Sequence, residues 1–201
     1  MNPETPRVSP KDFFLNLAVI VTLYVSTISL LHLLFQVIDS TFPDTVSYYY
    51  DEYSSSMRFA IASLIIVFPL FVTLSHLMKR DLRKNPEKEN LWIRKWLTYL
   101  TLFVAGITVG TDLIVLINAF LGGELTARFV FKVISVLIVA GAIFGYYLYD
   151  IRKTATETAK RSKLFAYLSS AVVLASIVIG FIVIGSPFQL REIRFDEQRI
   201  G

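Results

Sequence analysis

Five long apolar runs constrain the fold of this 201-residue chain more than any other feature. Each run has about the 20 residues that an α-helix needs to cross a hydrocarbon core of ~30 Å. Backbone polar groups in lipid must be satisfied within their own segment, so the runs predict an all-α polytopic membrane protein with five transmembrane helices. A soluble bundle would need polar helix faces, which most of these runs lack. The runs cover residues 13–38, 57–77, 96–121, 129–149 and 164–185.

The composition narrows the classes of function. Only 18% of the residues are charged, against about 25% in a typical soluble domain. The chain has no cysteine, which excludes disulfides, thiolate nucleophiles and cysteine-ligated metals. His32 and His76 lie toward opposite membrane surfaces and cannot ligate one haem iron. GxSxG, HExxH, P-loop and Rossmann glycine motifs are also missing. We therefore expect no enzyme activity, no metal and no cofactor.

The positions of lysine and arginine predict the orientation. The loop 79–95 holds seven of these residues and the loop 151–163 holds five, whereas the segment 39–57 holds none. Because short cytoplasmic loops carry an excess of positive charge, we expect the N-terminus in the cytoplasm and the C-terminus outside. Topology then explains the net charge of +4, and no nucleic-acid partner is expected.

The chain divides into three parts around one membrane domain. Residues 1–12 are predicted as a cytoplasmic N-terminal segment and residues 13–185 as the transmembrane domain. Residues 186–201 begin with Ser186, a good N-cap, followed by a proline suited to the first helical position. They predict a short amphipathic, extracytoplasmic juxtamembrane helix. Its pattern is interrupted at Gly201, so we expect a longer natural protein.

Charged residues in spans three and four predict an ion pair inside the membrane. A turn placed between residues 122 and 123 makes these spans an antiparallel hairpin. It puts Asp112 level with Lys132, and Asn118 level with Arg128. We predict an Asp112–Lys132 ion pair, with Arg128 reaching Asn118 or the outer headgroups. Two interpretations stay open, because intramembrane charges either line a substrate or proton path or form a structural pair that locks the hairpin.

A second polar stripe lies near the outer end of span one. His32, Gln36 and Asp39 follow i, i+4, i+7 spacing and therefore share a helix face. Together with the tyrosine-rich segment 48–53, they predict an outward-facing polar pocket. The alternative is a helix end that becomes polar as it meets water.

Two GxxxG motifs predict helix-packing surfaces. Gly106 and Gly110 lie on span three, and Gly141 and Gly145 lie on span four. Small residues at this spacing permit close helix approach in membranes. By helical-wheel angle both pairs lie roughly opposite the charged residues of their spans. We expect them to pack against other helices, either those of span five or those of a second copy of the chain.

The segments "GTDLI…LGGELTARFVFK" and "FGYYLYDIRK" resemble those of domain-of-unknown-function family 5671, a group of bacterial integral membrane proteins. The resemblance covers most of residues 13–153. It implies location in the bacterial cytoplasmic membrane as a multi-pass protein. It implies no activity and assigns no functional residue.

The sequence favours a non-enzymatic membrane module that anchors, scaffolds or senses for an extracytoplasmic partner. Its partners would be the lipid bilayer and either a second copy or another membrane protein. The alternative is a small transporter or channel subunit with an outward-facing polar pocket around Asp112 and Lys132. Five spans are few for a carrier, and no inverted repeat is evident.

Overall fold

The computed structural model describes residues 9–42, 50–123, 125–152 and 158–184, and in these ranges the chain is helical apart from helix caps and short connections. The predicted juxtamembrane helix at 186–201 lies outside them. The five helices of the described residues are each long and apolar enough to cross a membrane, as predicted. A short 3-10 helix, Pro86–Asn90, joins the second to the third. The long helices are α1 (Pro10–Thr41), α2 (Tyr50–Lys84), α3 (Trp92–Gly122), α4 (Ala127–Arg152) and α5 (Thr158–Ile184).

Polar capping sets the start of α1 three residues before its apolar run. The Ser9 hydroxyl accepts a hydrogen bond from the Asp12 backbone N–H at 3.2 Å and donates one to the Asp12 carboxylate at 2.8 Å. Pro10 occupies the first turn, where a missing N–H costs nothing. The cap satisfies one N–H that a helix start leaves without a partner, so α1 begins at the polar cap.

The prediction of a loop over residues 79–95 is wrong for most of that segment. Helix α2 continues past its apolar run to Lys84, because nothing in the basic sequence stops it earlier. Asn85 precedes a proline and leaves the α region, with φ −132° and ψ 78°. The basic residues are therefore held on helices and not on a loose connection.

Helix α1 is the centre of the bundle and contacts each of the other four long helices. The larger apolar core lies where it meets α2 and α5. There Gly180 of α5 comes so close that an added Cβ would lie 2.9 Å from Ile61 and 3.0 Å from Leu33. A second cluster joins α1 to the start of α3. The larger core contains Leu30, Leu33, Met57, Ala60, Ile61, Leu64 and Val173.

Helices α3 and α4 form the predicted hairpin, but its turn is longer than predicted. Gly123 ends α3 with φ +71°, a left-handed conformation that favours a residue without a Cβ. Helix α4 begins only at Ala127. The turn therefore contains the four residues 123–126, whereas the prediction reversed the chain directly between residues 122 and 123. As a result, the residues that face each other across the hairpin shift by about one helical turn.

The bundle has two ends, which we name after a charged residue at each. The Lys88 end contains the start of α1, the end of α2, the 3-10 helix, the start of α3, the end of α4 and the start of α5. The Asp39 end contains the end of α1, the start of α2 and the α3–α4 turn.

Candidate functional site

A cluster of three charges joins α1 to α4 at the Asp39 end. Lys132 Nζ lies 2.6 Å from Asp39 Oδ1, and Arg128 Nε contacts the same carboxylate oxygen. The Asp39 side chain is only 9% exposed, and the two cations are 21% and 28% exposed. Arg128 and Lys132 share a face of α4 because they are four residues apart. One buried acid thus holds two cations of a neighbouring helix.

Aromatic rings border this cluster. Lys132 Nζ lies 5.5 Å from the centroid of the Phe35 ring on α1, within the range of a cation–π contact. Phe42, the residue that caps the end of α1, stacks on Phe131 of α4 with 5.3 Å between ring centroids. The rings thus add aromatic contacts between α1 and α4 beside the ion pairs.

The predicted ion pair between Asp112 and Lys132 is not formed. The longer turn places Asp112 level with residue 137, about five residues or roughly 7.5 Å along the helix from Lys132. Lys132 contacts Asp39 of α1 instead. Arg128 also reaches Asp39, and the predicted partner Asn118 is exposed on α3. The charges of the hairpin therefore tie it to α1 and do not lock it to itself.

Asp112 lies on the inward side of α3. It follows Thr101 and Ala105, both buried, at spacings that keep the three residues on one helix face. Its Oδ2 atom is buried and has no hydrogen-bond partner among the described residues. A buried polar atom without a hydrogen-bond partner is costly. Asp112 therefore remains a candidate site residue because of this unpaired atom, and not because of its spacing from Lys132.

The predicted stripe on α1 contacts two different neighbours. His32 Nε2 is hydrogen-bonded to Ser56 Oγ of α2, whereas Asp39 contacts α4. Between them, Gln36 Oε1 is buried without a partner among the described residues. The side chains of 48–53 lie outside the described residues, so the polar pocket stays a prediction.

Sequence reasoning missed a second charge cluster, at the Lys88 end. Lys88 Nζ lies 2.8 Å from Asp12 Oδ1 and 2.8 Å from Asp81 Oδ2. The hydrogen bonds that Lys88 donates to Asp12 and Asp81 raise the pKa of its ammonium group above the usual value. The contact joins α1, α2 and the 3-10 helix. No local pattern could have revealed it, because Asp12 and Lys88 are 76 residues apart.

Arg94 makes a third interhelical contact at the same end. It lies 3.7 Å from Asp150 of α4 and 3.9 Å from Glu89 of the 3-10 helix. Nearby, the Tyr24 hydroxyl of α1 donates to Thr101 of α3 at 3.2 Å. These contacts hold the first turns of α3 against α4, the 3-10 helix and α1.

The GxxxG glycines do not pack on α5 as one prediction had it. A Cβ at Gly106 would lie 3.3 Å from the Phe144 ring of α4, so this glycine belongs to the hairpin interface. At Gly110, Gly141 and Gly145 a Cβ would meet nothing within 4 Å among the described residues. Helix α5 places its own glycine against α1 and α2. Packing of the three open glycines against a second copy of the chain stays a prediction.

No group of three or more His, Asp or Glu side chains in the described part of the chain could hold a metal ion. The fold and its charge clusters define a class: polytopic helical proteins with five apolar helices, in which ion pairs join α1 to α2 and α4, and α3 to α4. The family model described as Domain of unknown function (DUF5671) matches residues 12–147.

The chain belongs to this DUF5671 family, because the match covers well over half of its length. The resemblance found in the sequence is thereby confirmed. The matched segment includes Asp12, Asp39, Lys88, Asp112 and Lys132, but neither Asp150 nor α5. No curated protein and no solved structure matches the chain.

Proposed function

We propose that the chain is a non-enzymatic membrane module that anchors, scaffolds or senses for a partner. The observation that carries the proposal is the use of Asp39 to hold both Arg128 and Lys132. These charges stabilise contacts between helices of the chain itself. A conduction path would instead need charges that remain available to a passing solute.

The orientation and location are part of this proposal. Trp92 and Trp96 are exposed at the Lys88 end, where most of the basic residues lie. An excess of basic residues is typical of the cytoplasmic side of a bilayer, and exposed tryptophans are typical of either interface. The Lys88 end would face the bacterial cytoplasm, and the partner would be met at the Asp39 end or along the membrane. Helices α3 and α4 offer apolar surface for the second case, including Phe103, Ile114 and Ile138.

Native mass spectrometry of protein extracted gently from its own membranes tests the proposal. We expect a defined complex, with a second copy or another membrane protein, that survives Asp112→Asn. Proteoliposomes that contain the purified chain should conduct ions and small solutes no better than protein-free liposomes. A solute flux that Asp112→Asn abolishes, or a bare monomer from native membranes, would overturn it.

A small transporter or channel subunit is the second candidate. It is favoured by two buried acceptor atoms without partners among the described residues, Asp112 Oδ2 and Gln36 Oε1. Buried polar atoms are usually satisfied, and a transported solute or a water chain would satisfy both. This candidate predicts that Asp112→Asn and Gln36→Leu each lower flux in proteoliposomes and leave the thermal stability nearly unchanged.

A further inference from the structure

The structure sorts the seven basic residues of segment 79–95 into inner and outer groups. Lys88 and Arg94 point inward and are ion-paired. Lys79 has an interaction of its own and belongs to neither group. The remaining four are exposed and have no ion pair or side-chain hydrogen bond within the described residues. We call them the cationic rim: Arg80, Arg83, Lys84 and Lys95.

Helix geometry orders the cationic rim. Arg80, Arg83 and Lys84 follow i, i+3, i+4 spacing on the last turns of α2 and therefore share one face. Leu77, one turn deeper in the same helix, is an exposed apolar residue. The face thus changes from apolar to cationic within a single turn, as the surface of a bilayer does.

The fourth cation is flanked by aromatic rings. Lys95 lies in the first turn of α3, between Trp92 and Trp96. The two indoles are 62% and 56% exposed, and Tyr99 continues the same face one turn further. Tryptophan and tyrosine side chains at such positions lie at the level of lipid headgroups.

Nearby acids do not neutralise the cationic rim. Asp81 is occupied by Lys88, and Glu89 lies 3.9 Å from Arg94. Glu87 is the remaining acid of the segment and is exposed. Four unpaired cations against so little unpaired acid leave an excess of positive charge.

We propose that the cationic rim, together with Trp92 and Trp96, binds the phosphate groups of anionic phospholipids in the leaflet at the Lys88 end. Basic side chains next to a membrane attract anionic headgroups, and the attraction falls off within a Debye length. The exposed indoles and Leu77 favour a lipid over a soluble phosphate, because they need acyl chains or the interface beside the headgroup. The proposal holds for an anchor and for a transporter alike.

The two tryptophans make a direct test simple, because they are the only ones in the chain. Their fluorescence is quenched by phospholipids that carry brominated acyl chains. The chain is reconstituted with brominated phosphatidylglycerol or brominated phosphatidylcholine at equal mole fractions in a non-brominated background. We expect phosphatidylglycerol to quench with an apparent association constant about fivefold or more above that of phosphatidylcholine, and 0.5 M NaCl to remove the difference.

Matched variants assign the preference to the cationic rim. The combined variant Arg80→Gln, Arg83→Gln, Lys84→Gln, Lys95→Gln should lose it. The charge-conserving variant Arg80→Lys, Arg83→Lys, Lys84→Arg, Lys95→Arg should keep it. If the neutral combination does not fold, Arg83→Gln and Lys95→Gln alone should each reduce it, and the salt experiment needs no variant.

Three results would overturn the proposal. The first is equal quenching by the two lipids in the unmodified chain at low salt. The second is a preference that persists in the folded neutral variant or in 0.5 M NaCl. The third is a preference removed by millimolar inorganic phosphate at constant ionic strength, which would assign the rim to a soluble anion.

Discussion

At the residue scale, Asp39 of α1 pairs with two cations of the α3–α4 hairpin. Asp39 accepts contacts from two cations and is more buried than either of them. Replacing a buried acid of this kind leaves positive charge without compensation, which costs more than the ion pair itself contributes. The sequence identified all three residues as intramembrane polar groups, but it paired them wrongly because Asp112 seemed closer along the hairpin.

We predict that Asp39→Asn lowers the free energy of unfolding by about 2 kcal/mol, below the 3–5 kcal/mol typical of a fully buried pair, because both cations are partly exposed. Denaturant unfolding in a mild detergent measures it. In a double-mutant cycle, the effects of Asp39→Asn and Lys132→Met on stability should not be additive, because the two side chains are in contact. The effects of Asp112→Asn and Lys132→Met should be additive. Coupling between Asp112 and Lys132 in place of Asp39 and Lys132 would contradict the structure.

A second residue-scale prediction concerns alkaline pH. The pKa of Lys88 is raised by its hydrogen bonds to Asp12 and Asp81. The charged Lys88 therefore contributes its full share to the stability of the folded chain below the usual lysine pKa of about 10.4. This contribution is lost as the pH rises through the higher pKa of the folded protein. Lys88→Met should therefore destabilise the chain at pH 8 and much less at high alkaline pH.

Thermal unfolding of the unmodified chain and of Lys88→Met between pH 8 and pH 11.5 checks this. The difference between the two should shrink toward the alkaline end. Lys95→Met is the control, since Lys95 is exposed and has no ion pair among the described residues, and its curve should parallel that of the unmodified chain. If Lys88→Met lowers the unfolding temperature by the same amount at every pH in this range, the stabilising role of the charged Lys88 is contradicted.

At the element scale, the length of one turn decides which charges meet. The helices were predictable because each apolar run satisfies its own backbone and needs no partner in order to form. Their ends were not, since Ser9 extends α1 at its start and the basic sequence lets α2 continue to Lys84. The register of α3 on α4 depends on where Gly123 ends the first helix and Ala127 starts the second. A shift of one turn there is enough to separate Asp112 from Lys132.

We predict that Gly123→Ala destabilises the hairpin by about 1 kcal/mol, because a Cβ is disfavoured at φ +71°. The cost comes from the backbone alone, since a Cβ there would meet no atom within 4 Å among the described residues. Gly110→Ala is the matched control. Its site is equally open but lies within α3, so alanine should be neutral or slightly stabilising. Denaturant unfolding in detergent measures both, and equal effects would contradict the turn geometry.

At the scale of the whole molecule, four long helices are arranged around α1, with charge clusters near both ends. The number of helices followed from hydropathy, but the centre of the bundle did not. Asp12 meets Lys88 across 76 residues and Asp39 meets Arg128 across 89, and such contacts depend on tertiary packing that no local pattern encodes. For the candidate site, the charged residues and their approximate position along each helix could therefore be predicted, but the residues with which they form ion pairs could not.

The orientation of the whole molecule can be tested cleanly because the chain has no cysteine. Glu87 is exposed at the Lys88 end and Ser40 is exposed at the Asp39 end. In intact bacterial cells a membrane-impermeant maleimide should label Ser40→Cys and should label Glu87→Cys only after permeabilisation. The reverse pattern would invert the proposed topology.

The distance in sequence between Asp39 and Arg128 also determines when their ion pair can form during synthesis. Arg128 is synthesised 89 residues after its acidic partner. At typical elongation rates of 5–20 residues per second, the carboxylate waits about 4–18 seconds before its first cation leaves the ribosome. During that interval α1 has an acid near its end without the partner that neutralises it. The ion pairs between α1 and α4 can therefore form only after the fourth span has been synthesised.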